Sequence, residues 1–293
     1  MMNRYTALLL TALAPIVWGS TYLITTEMLP SGFPLTLAVL RALPAGLLLL
    51  IWLRKLPQGI WWLRVTLLGI LNFSLFWWLL FVAAYRLPGG VAATVGAIQP
   101  LIVLFLSYWL LKSPLSALSI ASSFAGIAGV AILLLTPNAA LDLTGVIAGI
   151  AGAFSMAAGT VLSRRWQPPV TPLIFTAWQL TAGGIVLLPF ALWLEPSLPS
   201  LTVINMIGIS YLTLIGGALT YALWFRGLAL LGPSSVASLG FLSPVSAVIL
   251  GWVVLDQSLN LLQLLGMVVI LGSVWTSQQS EKRLAQRRLQ QLA

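Results

Sequence analysis

The chain has 293 residues, 60% of them hydrophobic and only 6% charged, with 14 Lys and Arg against 5 Asp and Glu. Soluble domains carry about 25% charged residues, so a water-exposed globule is excluded; the lack of Cys and His also removes disulfides, thiol nucleophiles, most transition-metal sites and the usual near-neutral proton carrier. The net charge of +9 does not indicate nucleic acid, because the cations are scattered over short loops and one tail, as membrane topology requires.

Apolar runs of about 18–23 residues recur along the whole chain, long enough to cross roughly 30 Å of hydrocarbon as helices. They are continuous and not alternating, which leaves a transmembrane barrel no support. The first, MMNRYTALLLTALAPIVWGS, begins like a leader, with Arg4 before an apolar run. It continues past Pro15 to about Thr26, long enough to span, and is read as the first helix. Punctuation by Pro, Gly and charge (LPSGFP, RKLPQG, RLPGG, KSP, TPNAALD, RRWQPP, EPSLPS, LGPSS) then places ten spans. They fall at about 5–26, 33–53, 63–85, 89–111, 115–136, 143–163, 172–193, 204–226, 234–255 and 259–277. The predicted fold is an all-α polytopic membrane protein.

With the N-terminus inside, Arg4, Arg54, Lys55, Arg64, Lys112, Arg164, Arg165, Arg226, Lys282, Arg283, Arg287 and Arg288 all fall on the cytoplasmic side. Arg86 falls outside with Glu27, Asp142, Glu195 and Asp256, and Arg41 lies within the second span. This bias places both termini in the cytoplasm, as expected for the inner membrane. The basic tail, 278–293, reads either as a lipid-surface helix or as a solvated topology anchor.

The chain is written twice. A shift of 138 residues lays spans 1–2 on spans 6–7: Pro34-Leu35 meets Pro172-Leu173, Arg41 meets Gln179 and Gly46 meets Gly184. A shift of 144 lays span 4 on span 9, with Pro100 on Pro244 and Lys112 on Asp256. Two repeats of five spans, 5–136 and 143–277, are expected, and an odd number makes them inverted in the membrane. Inversion explains the opposite closing charges of Lys112 and Asp256. The paired central prolines should kink or break both helices near mid-membrane. Packing accounts for one such break, but matched breaks in inverted halves point to a transporter's central site.

The Trp18-Gly19-Ser20-Thr21 run, Arg41, the stretch from Pro244 to Asp256 and LLQLLGMVVILGSV from Leu261 to Val274 together resemble the drug/metabolite transporter superfamily, EamA type. The resemblance covers nearly the whole chain. It implies ten helices in two inverted bundles around a central cavity, and export of small metabolites, often amino acids; members include aromatic amino acid exporters. Two positions depart from that pattern. Lys112 stands where the first repeat often carries an acid, and Met156 where the second often carries a Trp, so the symmetric pair of acids is missing.

Polar and aromatic side chains on a membrane helix should face protein or a cavity. Span 8 lines up Thr213, Gly217, Thr220, Tyr221 and Trp224 on one face, and span 1 lines up Thr11, Pro15, Trp18, Tyr22 and Thr25. Span 7 offers Thr176, Trp178 and Gln179, and span 2 offers Arg41. Span 3 adds Asn72 and the neighbours Trp77 and Trp78, of which Trp78 is taken as the pathway residue. Gln99 and Ser243 flank the two breaks. For Trp18, Trp178 and Trp224, cavity lining and packing are both open readings. Trp52, Trp61, Trp62, Trp166 and Trp193 sit at span ends and read as interfacial anchors. Spans 5 and 6 carry small-residue stripes that read as packing seams. Arg41 either snorkels outward or awaits an anionic group such as a substrate carboxylate.

No acid or histidine lies inside a span, so no intramembrane proton relay is expected, and transport should be facilitative or exchange-like. An enzyme would need buried acids, histidines or a metal constellation, so none is expected, nor a cofactor. The leading expectation is an exporter of small amphipathic metabolites, chiefly aromatic or hydrophobic amino acids. A carrier for another cargo, such as a nucleotide-sugar, nucleobase or drug-like molecule, and a non-transporting structural subunit are the alternatives. The expected partners are a small-molecule substrate and the lipid bilayer; a monomer is compatible with this reading.

Overall fold

The computed structural model describes residues 3–87, 89–134 and 142–292, except for the side chains at positions 22, 84, 85, 89–91, 287–289, 291 and 292. Tyr22 as a pathway side chain, most of the TPNAALD loop, and the tail charges of Arg287 and Arg288 therefore lie outside the described residues. Among the described residues, ten helices are long and apolar enough to cross a membrane. They are α1 (Arg4–Met28), α2 (Pro34–Leu53), α3 (Trp61–Gly69, a π turn at Ile70–Ser74, then Leu75–Arg86), α4 (Gly89–Gly96 and Gln99–Leu111) and α5 (Ala117–Leu134). The second five are α6 (Leu143–Trp166), α7 (Pro172–Leu194), α8 (Val203–Thr213, a π turn at Leu214–Leu219, then Thr220–Leu231), α9 (Pro233–Leu239 and Leu242–Leu255) and α10 (Leu261–Leu292).

Helix ends follow local chemistry. Asn3, Asp142 and Thr171 cap α1, α6 and α7 by accepting backbone N–H groups, and Thr202 with Asn205 closes a capping box on α8. Pro34 and Pro172 open α2 and α7, where a missing N–H costs nothing. Lys112 and Asp256 end α4 and α9 in the same left-handed geometry, φ 54° and 52°. In each case the cap N–H and the next one return to a single carbonyl, that of Ser107 or Gly251. The backbone treats the two segments alike although their closing charges are opposite.

α4 and α9 are broken just before their central prolines, whereas α1, α2 and α7 run unbroken through Pro15, Pro44 and Pro189. α4 turns at Ala97 and Ile98 just before Pro100, and α9 turns at Gly240 and Phe241 just before Pro244. The ring of Pro100 falls in the first turn of the new helical piece, where it is tolerated. Two further irregularities carry no proline: the π turns of α3 and α8 begin 144 residues apart, the same offset that superimposes the broken helices.

α2 and α7 pack directly on each other. A Cβ on Gly46 would strike the backbone of Thr181, and a Cβ on Gly184 would fall 2.7 Å from Leu43 Cβ and 2.8 Å from its Cα. These contacts are reciprocal, since Gly46 with Gly184 and Leu43 with Thr181 are both 138 residues apart. The pair is also fastened at both ends. Glu195, at the end of α7, accepts the Leu35 and Thr36 N–H groups at 2.7 and 2.8 Å and the Thr36 hydroxyl at 2.7 Å. At the opposite end Trp178 Nε1 donates to the Lys55 carbonyl at 2.6 Å.

The small-residue stripes of α5 and α6 form close seams. Gly129 and Gly266 bring α5 against α10, Gly126 makes room for Phe241, and Gly159 admits the Asn72 side chain. Trp61 and Trp166, at helix ends, both stack on the Arg64 guanidinium, at 5.1 and 5.4 Å. Trp52, Trp62 and Trp193 do stand exposed at helix ends. The basic tail is helical in its described part, where α10 continues unbroken to Leu292. Ser280 holds this continuation by hydrogen bonds with Ser119 and Ser116, and Gln278 holds it through Ser235 and Ser238.

Candidate functional site

The largest core cluster lies where α1, α2, α3, α7 and α8 meet. Trp18 on α1 lies 4.8 Å from Tyr221 and 5.0 Å from Trp224, both on α8. Phe73 on α3 lies 4.6 Å from Tyr221 and 5.2 Å from Trp77. Phe175 and Phe225 extend the cluster, 5.4 Å apart. These tilted and edge-on arrangements are those the aromatic quadrupole favours. Trp77 and Trp224 are only 2% and 1% exposed, whereas Trp18 and Arg41 are half-buried. Rings therefore fill the centre where a cavity was expected, and the cation sits at their margin.

Arg41 is held by α8 and by an aromatic face. Its Nη2 donates to the Gly216 carbonyl at 2.9 Å, and its Cζ lies 4.9 Å from the centroid of Trp77. The π turn explains why that carbonyl is available. The Thr220 N–H bonds past it, to the carbonyls of Ile215 and Gly217. Gly216 O is left for side chains and accepts both Arg41 and the Thr220 hydroxyl, the latter at 2.9 Å. Thr220 Oγ1 in turn accepts Trp18 Nε1 at 2.9 Å. One polar chain thus runs from α1 through α8 to α2. The α3 π turn does the same: Leu75 N–H reaches back to Ile70, and the skipped Leu71 carbonyl accepts the Ser155 hydroxyl of α6 at 2.8 Å. In lipid such released carbonyls must be satisfied by neighbouring helices, and here they are.

Gln179, the counterpart of Arg41, bonds to Asn72, the residue 144 before Gly216, with Asn72 Nδ2 donating to Gln179 Oε1 at 2.8 Å. The site is thus a pair of equivalent contacts, a neutral amide pair in one half and a cation on a carbonyl in the other. Both amides are fully buried, and Asn72 Oδ1 and Gln179 Nε2 have no further partner. Removing one amide strands the other. Gln179→Leu should therefore destabilise the protein by about 1–3 kcal/mol, while Asn72→Leu/Gln179→Leu should cost less than the two single changes summed. A double-mutant cycle of thermal unfolding in detergent checks this.

The sequence-derived residues separate accordingly. Trp18, Arg41, Thr220, Tyr221 and Trp224 come together, with Asn72 and Gln179 as a buried tie beside them. Trp78 is 45% exposed and faces away; its neighbour Trp77 takes the inner place, because adjacent helical residues point about 100° apart. Trp178 spends its N–H on the Lys55 carbonyl and acts as packing at one end of α7. Gln99 and Ser243 lie half-buried beside the helix breaks, and no hydrogen bond among the described residues ties either side chain to the aromatic cluster. The Ser243 carbonyl instead faces Gly19, whose missing Cβ lets α9 close on α1. Sequence reasoning did not single out Phe73 or Gly216. The Gly216-Gly217 pair and the residue-by-residue match of α3 to α8 were the signals that could have found them.

The model of the EamA-like transporter family matches residues 5–135 and again 143–277. Protein PecM of Dickeya dadantii (strain 3937) is 44% identical over 263 residues, covering 89% of this chain and 88% of that protein. The uncharacterized inner membrane transporter YedA of Escherichia coli (strain K12) is 30% identical over 268 residues, covering 88% and 86%. One solved crystal structure, 20% identical, superposes with a TM-score of 0.83 over 96% of this chain and 99% of the other, so the fold is shared. With two family matches that nearly fill the chain, laid over ten spans and a duplicated core, the protein belongs to the EamA-like transporter family.

Proposed function

We propose that this transporter exports small amphipathic metabolites bearing a carboxylate and an apolar or aromatic body, with aromatic and hydrophobic amino acids as the best-fitting class. One observation carries the reading: a half-buried guanidinium lies on the margin of a closed aromatic cluster, and the Trp224 indole N–H inside it is buried with no acceptor. A cargo carboxylate would take the Arg41 fork bidentately, and its side chain would lie among Trp18, Phe73, Trp77 and Tyr221. Trp224 Nε1 would donate to a cargo oxygen. Phosphorylated cargo fits less well, since among the described residues Arg41 is the one cation stacked on the rings around Tyr221.

The carrier works by alternating access between two inverted five-helix halves, 5–136 and 143–277, with both termini in the cytoplasm of an inner membrane. The double family match, the paired breaks before Pro100 and Pro244, and the reciprocal α2–α7 contacts support this arrangement. Pro100 and Pro244 mark the pieces that move. Glu27, Asp142, Glu195 and Asp256 lie at helix ends, so transport is facilitative or exchange-like, without an intramembrane proton relay. Counterflow in proteoliposomes preloaded with a panel of amino acids tests it. Labelled aromatic amino acid should accumulate without an imposed proton gradient. Absence of exchange with every amino acid, by demonstrably folded protein, would reject this cargo class.

A further inference from the structure

A second site lies at the end of the molecule remote from Glu195. There the start of α1, the ends of α6 and α8, the start of α9 and the continuation of α10 enclose a cleft of about 370 Å³. We propose that this cleft binds the phosphate of an anionic phospholipid headgroup.

Three arginines line it, Arg4 from α1 and Arg164 and Arg165 from α6, against a single acid, Glu281 of α10. Arg4 Nη2 is buried with no hydrogen-bond partner, an arrangement that costs free energy until an acceptor arrives. Arg164 directs one N–H at the Ala229 carbonyl, which fixes its guanidinium at the wall. The backbone at Gly232 leaves open space where a side chain would stand. A guanidinium fork with a free edge suits a phosphodiester, which offers two anionic oxygens.

The floor selects a lipid over a soluble anion. It is lined by Leu111 at the end of α4 and by Leu230 and Leu231 at the end of α8, so apolar side chains from the span ends stand beside the arginines. A headgroup phosphate held above, with its glycerol and acyl chains leaving along these leucines, satisfies both halves of the cleft. The site also gives a role to the helical tail: Leu284 and Ala285 close its outer wall, which requires α10 to run straight on past the membrane. A lipid seated there touches α1, α6 and α10 together.

Native mass spectrometry and thermal unfolding of the full chain in detergent test the assignment, with phosphatidylglycerol, phosphatidylcholine, glycerol phosphate and inorganic phosphate as probes. Phosphatidylglycerol should be retained and raise the unfolding temperature, and phosphatidylcholine should do neither. Arg4→Gln/Arg165→Gln should weaken retention by about 30-fold for the loss of two surface cations. Arg54→Gln/Lys55→Gln removes the same charge from a loop outside the cleft and should leave retention unchanged. Arg165→Glu, at an exposed position, gives the same reading should the Arg4 variant not fold. Equal weakening by both double variants would show diffuse attraction and overturn the site. Binding of inorganic phosphate or glycerol phosphate as tight as the lipid's, or equal retention of phosphatidylcholine, would overturn the lipid assignment.

Discussion

Arg41→Gln should cut export of a carboxylate-bearing amino acid by about two orders of magnitude while leaving a folded protein. Two charge-assisted hydrogen bonds to a carboxylate are worth about 3 kcal/mol together, or roughly 150-fold. The glutamine amide can still donate to the Gly216 carbonyl, so the π turn keeps a partner, and the equivalent position in the other half already carries Gln179. Transport of the corresponding amino acid amide, which has no carboxylate, should be affected far less. Arg41→Lys should fall between, since it keeps the charge and loses the fork. Counterflow with acid and amide cargo separates these outcomes. Equal loss for both cargoes would reduce Arg41 to a structural tie between α2 and α8.

Gly184→Val should be strongly destabilising, costing about 3 kcal/mol or more. The new Cβ alone would stand 2.7–2.9 Å from the Cβ, Cα and N of Leu43, and backbone atoms cannot step aside as a flexible side-chain tip can. α2 and α7 would have to separate, pulling on the Glu195 clasp and the Asn72–Gln179 tie. Gly46→Val meets the reciprocal wall at Thr181 and should behave alike. The double variant should cost less than the sum, because the first substitution has already opened the shared seam. Gly272→Ala is the control: its Cβ would meet nothing within 4 Å, and thermal unfolding should be unchanged or slightly raised. A near-neutral Gly184→Val would mean that the two helices are not held in contact in the folded protein.

Much of this arrangement was legible from residue order. Continuous apolar runs give ten spans because lipid offers the backbone no partner, and central prolines marked the places where α4 and α9 break. Arg41 stood out because a cation inside a span is costly and rare. The cluster around it was only partly legible. Thr220, Tyr221 and Trp224 share a face that helical periodicity reveals. The choice between Trp77 and Trp78 was not legible, because a π turn just before them adds a residue to the helix and rotates everything that follows. Gly69 precedes the α3 turn, but a lone glycine does not specify a π turn, so periodicity did not decide between the two tryptophans.

Composition and order by themselves determined the membrane class, the span count and the duplication, because each follows from local terms, hydrophobicity and period. That α4 and α9 break while α1, α2 and α7 carry Pro15, Pro44 and Pro189 unbroken did not follow from proline alone. Tertiary structure decided what depends on partners distant in the chain. It set Arg41 on a carbonyl 175 residues away, paired Asn72 with Gln179 across 107 residues, and joined the tail to α5 and α9. Burial is a property of the assembled bundle, since an apolar side chain is equally content against lipid or protein and only packing between helices selects which rings turn inward.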